Sequence, residues 1–263
     1  VTNRLLHVSD LHVGTRDAGE AAPALARFVE RTQPKLVVAS GDLAHRGRRD
    51  ELGRAAELLR SLGPPVLAVP GNHDLPPPPA RFLHPWQEFE RIWGTTEPVV
   101  SLPGLQVAGF NSVRPFRYQG GALSDAQLEL APARLRATEP GALRVAVLHH
   151  HLLGAPWRAA RKRPLSRRSR ALAALVAAGA DVVLSGHIHQ SAVSELHEFE
   201  VVGDQARTAV VVVAPGLGQP RPQRLGEARG LHLIESDPGA ISVATYVWTR
   251  GDWTLVAERS FPR

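Results

Sequence analysis

The chain predicts an α/β fold: a largely parallel sheet covered by helices, with a second sheet packed against it. Three observations carry this. Short apolar runs rich in β-branched residues alternate with helix-length amphipathic stretches up to about residue 70, the pattern of parallel strands buried on both faces. The same alternation returns between Arg144 and Leu184. From about Ser191 onward helical stretches cease, and extended runs are separated by turn signals, as in an antiparallel sheet.

In order, Leu5–Val8 reads as a strand, Ala22–Arg31 as a helix and Leu36–Ala39 as a strand. Glu51–Leu62 has the spacing of an amphipathic helix, and Val66–Val69 is the next strand. Arg144–Leu148 and Asp181–Leu184 extend the series, with Ser169–Ala178 as the helix between them. The later runs are Val193–Val201, Thr208–Ala214, Gly230–Ile234, Ala240–Val247 and Trp253–Glu258. Asp237-Pro-Gly239 and Arg250-Gly-Asp252 supply turns between them. The expectation is that these later strands form the second sheet, within one domain spanning residues 1–263. Leu75-Pro-Pro-Pro-Pro79 is a stiff loop too short to join separate domains.

Bulk properties narrow the class of function. The length of 263 residues permits a full hydrophobic core, and 43% hydrophobic with 21% charged residues is ordinary for a soluble globular protein. No apolar run reaches the roughly 18–20 residues of a membrane span. Arg4 leads straight into the first strand without a signal-peptide layout, so a cytoplasmic location is expected. The absence of cysteine excludes disulfides, thiolate metal sites and iron–sulfur clusters. The net charge of +6 comes almost wholly from arginine, since Lys35 and Lys162 are the only lysines. A basic balance favours an anionic partner such as a nucleotide, nucleic acid or phospholipid headgroup, although arginine beside abundant Ala, Gly and Pro equally fits genome base composition.

Five short motifs carry the chemistry: Asp10-Leu-His12, Gly41-Asp42, Gly71-Asn72-His73-Asp74, His149-His150-His151 and Gly186-His187-Ile188-His189. Each lies just beyond an expected strand, and open α/β sheets bind ligands outside the carboxyl ends of their strands. Five loops distant in sequence thus converge. Alone, Asp-x-His and Gly-Asp are common turn chemistry. Together the motifs supply oxygen and nitrogen ligands for two cations about 3.5–4 Å apart, with the Asp42 carboxylate as the natural bridge. An asparagine ligand such as Asn72 is unusual, and Gly71 permits the sharp turn behind it. His187 and His189, two positions apart, share one side of an extended segment. Nothing resembles an activated serine or cysteine nucleophile.

In this order the blocks resemble the calcineurin-like metallophosphoesterase superfamily, and within it the small bacterial group that includes class III cyclic-nucleotide phosphodiesterases. The resemblance runs from Leu5 to about Ile234 and implies a four-layer α/β/β/α sandwich of two mixed sheets. It implies one metal ion held by Asp10, His12, Asp42 and His189, and another held by Asp42, Asn72, His150 and His187. Relatives often show His-His-Pro where this chain has His149-His150-His151-Leu152; His150 is aligned with the ligand, and His149 is the alternative. His73, with Asn72, is implied to contact the phosphate or serve as general acid, with Asp74 orienting it. Water activated between the ions would attack phosphorus in line. Nitrogen and oxygen ligands suit Mn, Fe, Zn, Co or Ni, divalent or trivalent, rather than magnesium alone.

The expected function is therefore a phosphodiesterase acting on a small phosphorylated substrate, a nucleotide or a related diester. Phosphomonoesterase or pyrophosphatase activity on nucleotides or lipid precursors is the alternative. A nuclease is a further reading, but such relatives carry a capping domain for which this chain is short. An inactive binding scaffold is disfavoured by intact ligand motifs. Around the centre, His45 and Arg46 follow Asp42, and Arg46 is either a phosphate contact or solvated surface. Trp157 with Arg158–Arg170 forms either a basic loop that holds phosphate and stacks a base, or a solvated segment. Arg221 or Arg224 could approach the substrate, whereas His7, His84, His197 and His232 read as packing or surface residues.

Overall fold

A computed structural model describes residues 2–15, 21–153, 162–195, 208–218 and 229–263. In chain order the elements begin with β1 (Asn3–Val8), α1 (Ala22–Thr32), β2 (Leu36–Ala39), α2 (Arg49–Arg60) and β3 (Val66–Ala68). After a 3₁₀ turn at Asn72–Asp74 come α3 (Ala80–Leu83), α4 (Gln87–Trp93), β4 (Val99–Leu102), β5 (Leu105–Gly109) and α5 (Asp125–Arg134). Then follow β6 (Leu143–Val147), α6 (Arg168–Ala177), β7 (Val182–Ser185), β8 (Ala192–Glu195) and β9 (Val210–Val213). The chain closes with β10 (Gly230–Ser236), β11 (Ala240–Thr249) and β12 (Asp252–Pro262).

These strands make two mixed sheets of six, ordered β12-β11-β10-β1-β2-β3 and β4-β5-β6-β7-β9-β8. Side chains alternating along each strand build the layers. In β1 and β2, Leu6, Val8, Val37 and Ala39 face a cluster holding Leu25 and Phe28 of α1 and Leu52, Ala55 and Leu59 of α2. The intervening Leu5, Leu36 and Val38 pack instead on Val107, Val145, Val147, Val182 and Leu184 of the other sheet. On that sheet's far side, Ala146, Val183 and Val211 meet Ala131 of α5 and Leu172 and Leu175 of α6. The result is the four-layer α/β/β/α arrangement that the resemblance implies.

The division of strands differs from the sequence expectation. The parallel series is split: β1, β2 and β3 lie in one sheet, and β6 and β7 lie in the other. The C-terminal strands are divided as well, β10–β12 joining β1 and β8–β9 joining β7, with β9 parallel to β7. Strands buried on both faces carry no mark of the sheet to which they belong. The second half of the expected Val193–Val201 strand lies outside the described residues. Among the described residues, no helix is long and apolar enough to cross a membrane.

Candidate metal centre

The two sheets bring the carboxyl ends of β1, β2, β3, β6 and β7 to one place. The loops after β1 and β2 are tied by Asp10 N–H to Gly41 carbonyl at 2.9 Å and His12 N–H to Asp42 carbonyl at 3.0 Å. The sheets are joined there by Leu217 N–H to Ser9 carbonyl at 2.8 Å, and by His187 N–H to Asp10 Oδ2 at 2.9 Å. All five motifs meet around this junction.

Asp10, His12 and His189 bring one ligand atom each into a cluster whose atoms lie within 4.8 Å of one another, and Asp42, His149 and His187 form a second. In the first, His12 Nε2 and His189 Nε2 are 3.2 Å apart, and His189 Nε2 is 3.0 Å from Asp10 Oδ1. In the second, His149 Nε2 lies 3.1 Å from His187 Nδ1 and 3.4 Å from Asp42 Oδ1. Asp42 Oδ2 turns to the first cluster, 3.9 Å from His12 Nε2. One carboxylate therefore faces both groups. Asp10, His12, Asp42, His187 and His189 all adopt positive φ, between 47° and 75°, a region that few non-glycine residues occupy and in which strained residues cluster at functional sites.

The electrostatics call for cations. Burial alone would raise both aspartates, but the histidines around them outweigh it, His189 foremost at Asp10 and His149 at Asp42, and both sit below the usual carboxylate range. Burial drives His12, His150 and His187 well below the ordinary histidine value, leaving neutral imidazoles with lone pairs to offer. Burial also opposes charge on His149, yet Asp42 wins and lifts it to about 9. Buried carboxylates thus recruit a proton to neutralise them. Asp42 Oδ2, Asn72 Oδ1, His150 Nε2 and His187 Nε2 are buried without a hydrogen-bond partner, and such atoms are costly unless a ligand satisfies them. Oxygen and imidazole donors so arranged fit hard-to-borderline metal ions.

Outer contacts fix the rings. Ser40 carbonyl lies 2.8 Å from His149 Nδ1, which makes Nδ1 the donor and leaves Nε2 to the centre. Ser112 Oγ lies 2.9 Å from His150 Nδ1, and Ser9 Oγ donates to Asp10 Oδ2 at 2.7 Å. Neither serine stood out in the sequence; Ser112 follows β5, a strand whose short Leu105–Gly109 run gave no clear signal. His73 is half-buried, its N–H donating to Asp42 Oδ1 at 2.8 Å and its Nδ1 held 2.8 Å from His45 carbonyl.

Asp74, which the resemblance implies orients His73, directs its two oxygens to the backbone, where they accept from Ala44 N–H and Gly71 N–H, both at 2.7 Å. It braces the loops after β2 and β3, and burial followed by the Asp42 charge raises its carboxyl to about 7. His150 stands beside the second cluster, but the ring that enters it with Asp42 and His187 is His149. Arg46 is exposed, with its backbone N–H on Glu51 Oε2 at 2.7 Å, and the His45 ring stacks on His73 at 5.9 Å. His84 is exposed, and His7 and His232 are buried and stacked at 5.8 Å. Trp157, Arg158, His197, Arg221 and Arg224 lie outside the described residues.

Known proteins resemble this chain in sequence and in fold. The 3′,5′-cyclic adenosine monophosphate phosphodiesterase CpdA of Haemophilus influenzae is 28% identical over 219 residues, covering 77% of this chain and 76% of that protein. A purple acid phosphatase, PPD1, from yellow lupin seeds superposes with a TM-score of 0.72 at 12% identity, covering 100% of this chain and 54% of that one. The chain thus spans about half of that structure, and the likeness concerns the fold. A dimetal phosphatase from Danio rerio superposes with a TM-score of 0.62 at 13% identity, covering 99% of this chain and 98% of that one. Residues 3–191 match the family of calcineurin-like phosphoesterases, and the chain belongs to that family.

Proposed function

We propose that the chain is a dinuclear metal-dependent phosphodiesterase acting on a small nucleotide or a related phosphodiester. The observation that carries this reading is Asp42, which offers one carboxylate oxygen to each of two ligand clusters. Asp10, His12, Asp42 and His189 would hold one ion, and Asp42, Asn72, His149 and His187 the other. His149 takes the place first given to His150 because its Nε2 lies with Asp42 and His187. Cations so held supply an activated water and neutralise the nonbridging phosphate oxygens.

The remaining work belongs to the chain itself. Ser9 Oγ and His187 N–H both donate to Asp10 Oδ2, fixing that carboxylate against rotation. The His45 carbonyl fixes His73 Nδ1 as a donor, so Nε2 is the atom that faces substrate, and in the imidazolium form it carries the proton that passes to the leaving oxygen. Acid assistance of this kind is worth about 10²–10⁴-fold in rate. The similarity to a cyclic adenosine monophosphate phosphodiesterase supports a nucleotide diester as substrate.

Metal analysis followed by a substrate panel tests the reading. Purified protein is expected to carry two metal equivalents per chain and to turn over cyclic nucleotides or bis(p-nitrophenyl) phosphate faster than nucleoside monophosphates. A preference for monoesters would replace it with phosphomonoesterase activity. His149→Ala is expected to lose one ion and more activity than the roughly 10–100-fold typical of losing an outer contact. His150→Ala should keep both ions; the reverse pattern would restore His150 as ligand.

A further inference from the structure

Three loops leave the metal centre and meet again some residues later. The loop after β3 runs from His73 through Leu75-Pro-Pro-Pro-Pro79 into α3, which carries Arg81 and Phe82. The loop after β5 passes Ser112, the partner of His150, and continues through Phe116, Arg117 and Tyr118 to Gly121. After β6 the described residues run through His151 to Leu153 and resume at Lys162 with Arg163-Pro-Leu165-Ser166. Leu165 N–H donates to His151 carbonyl at 3.0 Å, and Ser166 N–H donates to Gly121 carbonyl at 2.9 Å. A cavity of about 1020 Å³ lies among these loops, lined by Phe116, Arg117, Tyr118, Gln119, Gly120, Arg163, Pro164 and Ser166.

Its surface is unusual in two ways. Phe116 is 82% exposed and Tyr118 is 66% exposed, and neither belongs to the core. Phe116 stacks on Phe82 at 5.1 Å and 24°, and the Arg81 guanidinium lies over the Tyr118 ring at 5.6 Å. Arg81 Nε also donates to Pro115 carbonyl at 2.8 Å, holding the two loops together. The cavity wall holds two arginines and no carboxylate among the described residues. Rings held by neighbours but left open to solvent, beside guanidinium groups with no carboxylate in the cavity wall among the described residues, suit a ligand that is both aromatic and anionic.

The cavity is also next to the chemistry. Gly121, which ends its aromatic segment, is packed so tightly that a Cβ there would fall 2.3 Å from the His150 ring. Resting on the phosphodiesterase reading above, we propose that this cavity is a nucleobase subsite. The base of a nucleoside phosphate stacks on Phe116 and Tyr118 and receives hydrogen bonds from Arg117 and Arg163, while its phosphate lies at the metal centre. Stacking tolerates any base, since each presents a π-face, so the subsite selects nucleotides over base-free diesters without strong choice among bases.

The double variant Phe116→Leu/Tyr118→Leu removes the ring faces and keeps apolar bulk on exposed positions. Adenosine 3′,5′-cyclic monophosphate and glycerophosphoethanolamine, a diester without a base, would be assayed on the metal-loaded protein. The expected result is a KM about tenfold higher for the cyclic nucleotide, with kcat and the base-free substrate unchanged. A cyclic-nucleotide KM within twofold of wild type, or equal rises for both substrates, would overturn the subsite while leaving the phosphodiesterase reading intact. Calorimetric binding of adenosine 5′-monophosphate reads the cavity independently of turnover. Weakening of about tenfold in the double variant supports the subsite even if no diester is cleaved, and unchanged or undetectable binding to wild type overturns it.

Discussion

At the scale of the residue, the centre is built from conformations that amino acids other than glycine avoid. Positive φ at Asp10, His12, Asp42, His187 and His189 costs on the order of 1–3 kcal/mol each. The neighbours that hold them there leave no slack. A Cβ on Gly186 would fall 1.9 Å from Ser9 Oγ and 2.6 Å from Asp10 Oδ2, atoms that are themselves 2.7 Å apart in a hydrogen bond. Gly186→Ala is therefore expected to push Asp10 out of its cluster, with about 1–3 kcal/mol lost to overpacking. Metal content should fall below two per chain and the melting temperature should drop; a variant with full metal occupancy would show that the loop can yield. The Gly186-His187-Ile188-His189 spacing pointed to the two histidines but gave no reason for glycine at 186, nor did the sequence decide among three successive histidines. That choice depends on the turn after β6, where His149 Nδ1 meets a carbonyl 109 residues away in sequence, and no local pattern encodes such a partner.

At the scale of the element, strands and helices were legible where the apolar period was strong and invisible where a network replaced it. Helix α1 buries Ala24, Leu25, Phe28 and Val29 at helical spacing, and the sequence predicts it to within a residue. Helix α5 buries only Ala131 and contains Pro132, so it has no apolar stripe to read. Polar contacts hold it instead. Ser124 caps it by accepting from Gln127 N–H at 3.2 Å, and Gln127 Oε1 accepts from Ser124 N–H at 2.8 Å. Gln127 also donates to Asn111 carbonyl at 2.9 Å and accepts from Arg114 at 2.9 Å, tying α5 to the segment that carries Ser112. Gln127→Ala keeps the Ser124 cap on the backbone N–H but removes the reciprocal bond from Ser124 N–H and both ties together. A loss of about 1–3 kcal/mol is expected from the urea midpoint, with metal content unchanged in the folded fraction. If the midpoint stays put, the helix is held by its packing on α6 alone.

At the scale of the whole molecule, β10 returns from the far end of the chain to pair with β1, placing His232 opposite His7. The sequence predicted both strands but not their pairing, because neither hairpin spacing nor a shared motif links positions so far apart. Both imidazoles are fully buried, with Ser191 Oγ 2.9 Å from His232 Nε2 and Ser40 Oγ 2.9 Å from His7 Nε2. Burial pushes His232 down to about 3, whereas the same residue in the unfolded chain titrates near ~6.5. Between those values the unfolded state binds a proton that the native state refuses. Stability from this group is therefore complete above about pH 6.5 and is lost as the pH falls, at ~1.4 kcal/mol per unit. By pH 5 the loss from His232 alone amounts to about 2 kcal/mol. His232→Gln keeps a partner for Ser191 and removes the titration, so its stability at pH 7 is expected to be lower but its decline toward pH 5 about 2 kcal/mol smaller than that of wild type. Urea unfolding of both proteins at the two pH values measures this directly, and the comparison cancels the metal ligands, which the two share. Parallel declines would mean that acid opens the metal centre before it reaches the β1–β10 seam.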